Sequence, residues 1–150
     1  MMTLTWGVKQ SFRSYVEMSG GSTTAEDGAA AMPDGAFAFE AAPGGDLAVG
    51  ADGAVTGTGR FRGRVIFQAH GGMLKVTLTD PWLEQTADGL VLTIAETATR
   101  RTPIAKLGAA QRTEDGTLVF PAAITLDGMM IIGDHYPPGT VMDVVRVIGL

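Results

Sequence analysis

Apolar and polar positions follow a helical period only near the start of the chain, over residues 5–17. One face of the predicted helix carries four residues with apolar or hydroxyl-bearing side chains: Val8, Ser11, Phe12 and Tyr15. Thr5 is a suitable N-cap, and the pair Gly20 and Gly21 would end the helix. The pattern therefore predicts one short N-terminal helix that lies against a sheet built from the rest of the chain.

The clearest strand pattern covers residues 60–80, where two alternating segments flank Gly71 and Gly72. A Gly-Gly pair suits the positive φ angles of a two-residue hairpin turn, and that turn pairs His70 with Met73. The resulting register places the large apolar side chains on one side, towards the core: Phe61, Val65, Phe67, Leu74, Val76 and Leu78. His70 and Met73 are then predicted at the hairpin tip, on the opposite and largely polar side.

Shorter alternating segments, separated by turn residues, occupy the remaining sequence. We predict a strand over 36–42, hairpins over 47–56, 82–94 and 122–132, strands over 99–113 and 142–150, a long loop over 19–35, and a rigid turn over 134–139. Strands spaced by roughly 8 to 12 residues are typical of antiparallel sandwiches and barrels. The sequence therefore predicts a single mostly β domain over residues 1–150, an antiparallel sandwich or barrel with the helix packed at its edge.

Composition narrows the classes of function. The chain has no cysteine, which excludes disulfides and thiolate metal sites, and its net charge of −5 weighs against binding to nucleic acid. Its apolar runs stay below the roughly 18 residues of a membrane-spanning helix, and the N-terminus lacks the pattern of a signal peptide. We therefore expect a soluble chain, without a membrane span, that remains in the cytoplasm where it is made.

Candidate chemistry is confined to few residues, because the chain has two histidines and two tyrosines. A G-x-S-x-G nucleophile motif is missing, and the Asp-Gly pairs that could suggest catalytic carboxylates are explained by turn geometry. His70, His135 and a nearby carboxylate could form a metal triad, although nothing in the sequence fixes their proximity. Taken alone, Tyr15 is typical of a half-buried packing residue on an amphipathic helix.

Three segments of the sequence carry a resemblance to a known family. They are L-T-W-G-V-K with S-F-R-S-Y at 4–9 and 11–15, F-R-G-R-V-I-F-Q-A-H-G-G at 61–72, and Asp127-Gly128 with Y-P-P-G-T at 136–140 and Asp143. In that order, they resemble the opening motif, the strand-histidine-glycine hairpin and the closing strands of the HtaA family of bacterial haem-binding domains. The resemblance covers nearly the whole chain.

This resemblance implies a mostly β domain that holds one ferric haem b. The family's helix tyrosine, which is the axial iron ligand, corresponds to Tyr15, and the hairpin histidine that hydrogen-bonds it corresponds to His70. The family's serine near a haem propionate corresponds to Ser11. These residue types suit the chemistry, because a phenolate is a hard donor for ferric iron, and an adjacent imidazole helps to hold the anion of a phenol whose pKa is ordinarily near 10.

Two more residues are assigned to the haem site that the resemblance implies. We expect haem between the helix and the hairpin tip, with apolar contact from Met73. His135 stands where the family tends to have an apolar aromatic residue, so it could offer the iron a sixth ligand. Such an open site suits exchange with haem donor and acceptor proteins and is compatible with homodimers. Family members are typically exported or surface-attached, so a secreted or cell-surface location is the alternative if an export segment is absent from this chain.

Three functions remain open at this point. The first is a noncatalytic protein that takes up, holds or transfers ferric haem. The second is a haem-dependent enzyme on the same scaffold, with peroxide or haem-degrading chemistry. The third is a β-sandwich interaction module that binds no haem.

Overall fold

The computed structural model describes residues 2–133 and 135–150. Within them the chain forms fifteen strands and two α-helices. The strands are β1 (Thr3–Trp6), β2 (Ser22–Glu26), β3 (Ala29–Ala31), β4 (Phe37–Ala41), β5 (Ala48–Val49), β6 (Val55–Thr56), β7 (Gly59–Arg62), β8 (Arg64–Ala69), β9 (Leu74–Thr79), β10 (Trp82–Thr86), β11 (Gly89–Ala95), β12 (Arg101–Leu107), β13 (Gln111–Arg112), β14 (Leu118–Ile124) and β15 (Val141–Ile148). The helices are α1 (Gln10–Met18) and α2 (Leu126–Ile132). Neither of these described helices is long and apolar enough to cross a membrane.

Eight of the strands close into an antiparallel barrel. Their order is β1, β15, β14, β12, β11, β10, β7 and β4, and β4 pairs with β1 again. Strand β1 makes the closure, because Thr5 lies opposite Arg146 on one side and Ala38 on the other. Closure leaves these eight strands without a free edge. The prediction of a mostly β antiparallel domain is confirmed, with the barrel rather than the sandwich as its architecture.

A second sheet of three strands, in the order β2, β8 and β9, contains the predicted hairpin. The chain leaves the barrel at the end of β7 and enters this sheet through Gly63, which has a φ of 140°. A side chain on Gly63 would meet the backbone of Ala29, with a Cβ only 2.5 Å from the Ala29 nitrogen. Glycine is therefore required where the strand changes sheets.

The register of the hairpin is the predicted one. Val65 lies opposite Leu78, and Phe67 lies opposite Val76. The turn differs from the prediction, because residues 70–72 form a 3-10 turn and the loop runs from His70 to Met73. The Met73 amide donates to the His70 carbonyl at 3.2 Å in place of a strand pair.

Helix α1, the hairpin and the barrel share one hydrophobic core. The helix buries Phe12 and Val16, which lie one turn apart. The Phe12 ring meets Phe67 of β8 edge-on at 5.0 Å, and Phe67 meets Phe37 of β4 at 5.6 Å. The position of Tyr15, one residue before Val16, is therefore fixed by packing beneath the helix.

The start of α1 was predicted wrongly, whereas its end is confirmed. Thr5 is not the N-cap; it lies in β1 and is only 5% exposed, because β1 is required to close the barrel. The helix begins four residues later than predicted, with Lys9 as N-cap in an extended conformation. Gly20 follows the helix with a φ of 71°, as a terminating glycine should.

The long loop predicted over residues 19–35 is wrong. This segment forms the strands β2 and β3, which pair with β8 and β4. Both strands are largely exposed and consist of small and polar residues, so they carry little apolar alternation. They are held by backbone hydrogen bonds to neighbours whose own pattern is clear.

The hairpin predicted over residues 122–132 is also wrong, because its second half is the helix α2. Thr125 caps this helix by accepting a hydrogen bond from the Gly128 amide at 2.9 Å, and Asp127 lies in the first turn. Gly128 contributes close packing, since a Cβ there would clash with the Ile104 carbonyl oxygen. The Asp127-Gly128 pair thus serves a helix start rather than a hairpin turn.

The other predicted strands and hairpins are confirmed, except that the single strand predicted over 99–113 is divided into β12 and β13. Strand β4 lies within 36–42, β5 and β6 form the hairpin in 47–56, β10 and β11 form the next, β12 and β13 lie in 99–113, and β15 ends the barrel. Of the turn predicted over 134–139, Asp134 lies outside the described residues. In the remainder, the Thr140 amide donates to the Pro137 carbonyl at 3.0 Å.

Candidate functional site

The structure brings together the tyrosine of α1 and the histidine of the hairpin tip. The Tyr15 Oη atom and the His70 Nε2 atom are 2.6 Å apart, which is a short hydrogen bond. The two rings lie 5.7 Å apart, and Tyr15 remains 42% exposed. A phenol and an imidazole that share a proton therefore face solvent at the boundary between helix and hairpin.

The backbone at His70 is in an uncommon conformation. Its φ is 55°, in the left-handed region that glycine adopts freely and that costs a residue with a Cβ roughly 1–2 kcal/mol. Gly71 and Gly72 follow with φ of 65° and 93°, so the chain turns sharply just after β8. This turn aims the imidazole back at the helix, and backbone strain at such a position suggests a function for the side chain.

A second polar contact joins α1 to the segment that follows α2. The Ser11 hydroxyl and the Tyr136 hydroxyl are 3.0 Å apart. The Lys9 ammonium lies 5.8 Å from the centre of the Tyr136 ring and donates to the Val141 carbonyl at 2.7 Å. Phe12 packs against the same ring at 6.4 Å. The hydroxyls of Ser11 and Tyr136 and the Lys9 ammonium therefore lie together near the start of α1, and Ser11 is one helical turn before Tyr15.

Asp143 of β15 anchors the first turn of α1. Its Oδ2 atom accepts a hydrogen bond from Arg13 Nη1 at 2.6 Å, and its Oδ1 atom accepts one from the backbone amide of Gln10 at 3.2 Å. Its carbonyl oxygen also accepts from the Trp6 indole at 2.8 Å. A carboxylate at this end of a helix satisfies free amides and is favoured by the helix dipole. Asp143 thus takes the capping role that the sequence analysis had given to Thr5.

Two further predicted site residues, His135 and Met73, are exposed, as is Met18, to which the sequence analysis gave no role. The exposed His135 ring is 6.3 Å from the Tyr15 ring. Met73, at the end of the His70 turn, is 91% exposed. Met18, three residues after Tyr15 on α1, is 87% exposed. Imidazole and thioether groups therefore border the phenol–imidazole pair.

The metal triad considered from the sequence finds no support in the structure. Among the described residues, no group of three or more His, Cys, Asp or Glu side chains is placed to hold a metal ion. The two arginines that flank Gly63, where the chain passes from the barrel to the hairpin, form ion pairs with carboxylates. Arg62 forms an ion pair with Glu40 at 2.6 Å, and Arg64 lies 3.4 Å from Glu26 and 3.6 Å from Asp27.

Sequence reasoning gave no role to Tyr136, Lys9 or Asp143. Tyr136 and Asp143 belong to segments that carried the family resemblance, and this was the one signal available for them. Their partners on α1 lie more than 120 residues away in sequence, so no local pattern could reveal the contacts.

Comparisons with solved structures show the fold. The N-terminal domain of HtaA from Corynebacterium glutamicum is 24% identical, covers 97% of this chain and 94% of its own, and has a TM-score of 0.75. The C-terminal domain of the same protein is 24% identical with coverages of 97% and 93% and a TM-score of 0.71, and a variant of it forms a domain-swapped dimer. The heme binding protein HtaB from the same organism is 15% identical, with coverages of 98% and 93% and a TM-score of 0.72.

The family assignment rests on the sequence as a whole. Among curated proteins no sequence matches this chain. The family profile named HtaA and described as Htaa matches residues 1–148, which include the barrel, both helices and the hairpin. This chain therefore belongs to the HtaA family.

Proposed function

We propose that this protein binds ferric haem b and takes it up, holds it or transfers it, without catalysing a reaction. The observation that carries the proposal is the 2.6 Å contact between the Tyr15 phenol and the His70 imidazole at an accessible surface. Membership of the HtaA family supports it, as does the likeness of the fold to a heme binding protein.

The donor set fits ferric haem. Haem would supply a ferric iron that takes an anionic oxygen as axial ligand. Tyr15 would be that ligand, and His70 Nε2 would accept or share the proton of the Tyr15 oxygen. A hydrogen-bonded partner of this kind orients a metal ligand and adjusts its basicity. Tyr15 is 42% exposed, so a large planar group could approach its side chain from solvent.

The surroundings of the pair suit the rest of the molecule. A haem between α1 and the His70 turn would gain apolar contact from Met73, which is exposed without it. The hydroxyls of Ser11 and Tyr136, with the Lys9 ammonium nearby, offer donors for a propionate carboxylate. The His135 ring, 6.3 Å from the Tyr15 ring, would place a second imidazole beside the bound haem.

The exposure of the site favours exchange over enclosed chemistry. An enzyme generally excludes water from its reacting groups, whereas Tyr15 and the neighbouring thioethers face solvent. Haem donor and acceptor proteins are accordingly the proposed partners. The same open surface would allow two copies to pair as a homodimer.

Hemin titration followed by absorbance tests the proposal, because the chain has only two tyrosines and they can be compared directly. Wild type should give the spectrum of a tyrosinate-ligated ferric haem. Tyr15→Phe should lose that spectrum, and Tyr136→Phe, the matched control, should keep it with weaker binding. An unchanged spectrum in Tyr15→Phe would refute the ligand assignment, and absence of binding by wild type would favour the interaction module. Turnover with peroxide or a reductant would favour the enzyme.

A further inference from the structure

Gly21, three residues after the end of α1, lies against both the helix and strand β8. After the helix ends, the Gly21 amide donates to the Val16 carbonyl at 2.9 Å. The next residue, Ser22, already pairs with Gln68 of β8. The chain therefore passes directly from the helix that carries Tyr15 to β2, and β2 pairs with β8, the strand that ends just before His70.

No side chain fits at Gly21 without moving one of these two elements. A Cβ built there would clash with the Gln68 carbonyl oxygen. It would also lie 2.8 Å from the Val16 carbonyl oxygen and 3.0 Å from the Ala69 Cβ. Two of the three obstacles are backbone atoms, so the contact cannot be relieved by a change of rotamer.

We propose that Gly21 is a positioning residue that sets the distance between the Tyr15 oxygen and the His70 imidazole. Val16 follows Tyr15 directly and Ala69 precedes His70 directly, so two of the three obstacles to a Cβ are chain neighbours of the two partners, and the third, Gln68, lies two residues before His70. A methyl group at Gly21 would push α1 away from β8 and lengthen the 2.6 Å hydrogen bond without removing either partner. The expected effect of Gly21 on haem binding rests on the proposed function.

The adjacent Gly20 provides a matched control. Among the described residues, no atom lies within 4 Å of a Cβ built on Gly20, although its φ of 71° strains an alanine there. Gly20→Ala therefore tests the cost of altering the helix end, and Gly21→Ala tests the close contact itself.

The first measurement uses the protein without haem. The nitrogen chemical shift of the His70 imidazole should report its hydrogen bond to Tyr15, with Tyr15→Phe as the reference for a broken bond. Gly21→Ala should shift this signal towards that reference, and Gly20→Ala should leave it near wild type. If Gly21→Ala does not fold, Ala69→Gly loosens the same contact without adding an atom and should shift the signal in the same direction. Unmoved signals in the folded variants would overturn the inference.

The second measurement follows transfer of haem to an excess of apomyoglobin. Gly21→Ala should raise the dissociation rate by up to about 10–100-fold, the loss of metal affinity that follows complete removal of an orienting partner. In a His70→Ala background the same change should have less than about a twofold effect, because Gly21 acts through His70. Equal factors in the two backgrounds would indicate general destabilisation and overturn the inference. If wild type binds no hemin, the proposed function fails, and the imidazole signal alone decides the role of Gly21.

Discussion

Removal of the Asp143 carboxylate should loosen α1 from the barrel by a measurable amount. The side chains of Arg13 and Asp143 are 20% and 33% exposed, so their ion pair lies between a surface pair and a buried one. Exposed pairs contribute about 0.2–1 kcal/mol, and hydrogen bonds to charged groups about 1.5–3 kcal/mol. Asp143→Ala also loses the contact to the Gln10 amide, and we expect a decrease of about 2 kcal/mol in the free energy of unfolding.

The conservative variant separates charge from hydrogen bonding. Asp143→Asn keeps an acceptor but loses the charge, and we expect a decrease of about 1 kcal/mol. For a chain of this length these losses correspond to decreases in Tm of about 4–8 °C for alanine and about 2–4 °C for asparagine. Thermal unfolding by circular dichroism measures both. Glu17→Gln, on the exposed face of α1, is the control and should change stability by less than about 0.5 kcal/mol.

Amide hydrogen exchange shows whether the loss of stability in Asp143→Ala is confined to α1. Amide hydrogen exchange of α1 should accelerate in Asp143→Ala more than exchange of the barrel strands, because the anchor holds the first turn of the helix. The reasoning is refuted if Asp143→Ala is as stable as wild type, or if Asp143→Asn is destabilised as much as Asp143→Ala. In the latter case charge alone would account for the contact.

Three further outcomes are expected. His70→Ala should weaken haem binding less than Tyr15→Ala, because it removes the orienting partner and keeps the proposed iron ligand. Hemin titrations of the two variants measure the difference, and equal losses of affinity would contradict the assignment of Tyr15 as ligand and His70 as its partner. Thr125→Ala removes the N-cap of α2 and should lower the free energy of unfolding, measured with urea, by about 1 kcal/mol. An unchanged free energy of unfolding would show that the cap does not stabilise the protein. The Thr113 hydroxyl and nearby amides hold the pKa of Asp115 below its usual 3.8, so its favourable contacts persist above pH 3.8 and weaken as the pH falls through the lowered pKa. An NMR titration that gave 3.8 or higher would contradict this.

The sequence was most informative where side chains alternate between core and solvent. Phe67 and Val76 are almost completely buried, so a one-residue slip of either strand would move its buried side chains to the opposite face, and this pattern together with the Gly71-Gly72 turn specifies the register. For the same reason the side of the hairpin tip that carries His70 could be predicted before its contact with Tyr15 was known.

The prediction failed where stability comes from partners distant in sequence. Strand β2 consists of small and polar residues and exists because β8 supplies its hydrogen bonds. Helix α2 was taken for a hairpin, because Asp127-Gly128 favours a turn and a helix start almost equally, and packing of Gly128 against the Ile104 carbonyl favours the helix. The Ser11–Tyr136 contact joins residues 125 positions apart, so only the family resemblance pointed to that segment.

Closure of the barrel by its first and last strands delays assembly of the site during synthesis. Strand β1 pairs with β4 and β15, and β15 is available only after it has left the ribosome. Strand β15 also carries Asp143, which anchors α1. Chains emerge at roughly 5–20 residues per second, so α1 and the hairpin tip wait several seconds for their scaffold. A nascent chain that ends before residue 141 would carry Tyr15 and His70 without the Asp143 anchor of α1 and without the closed barrel. The proposed haem site is therefore expected to assemble only after β15 has left the ribosome, and hemin added to ribosome-stalled chains of increasing length should bind only from that length onward.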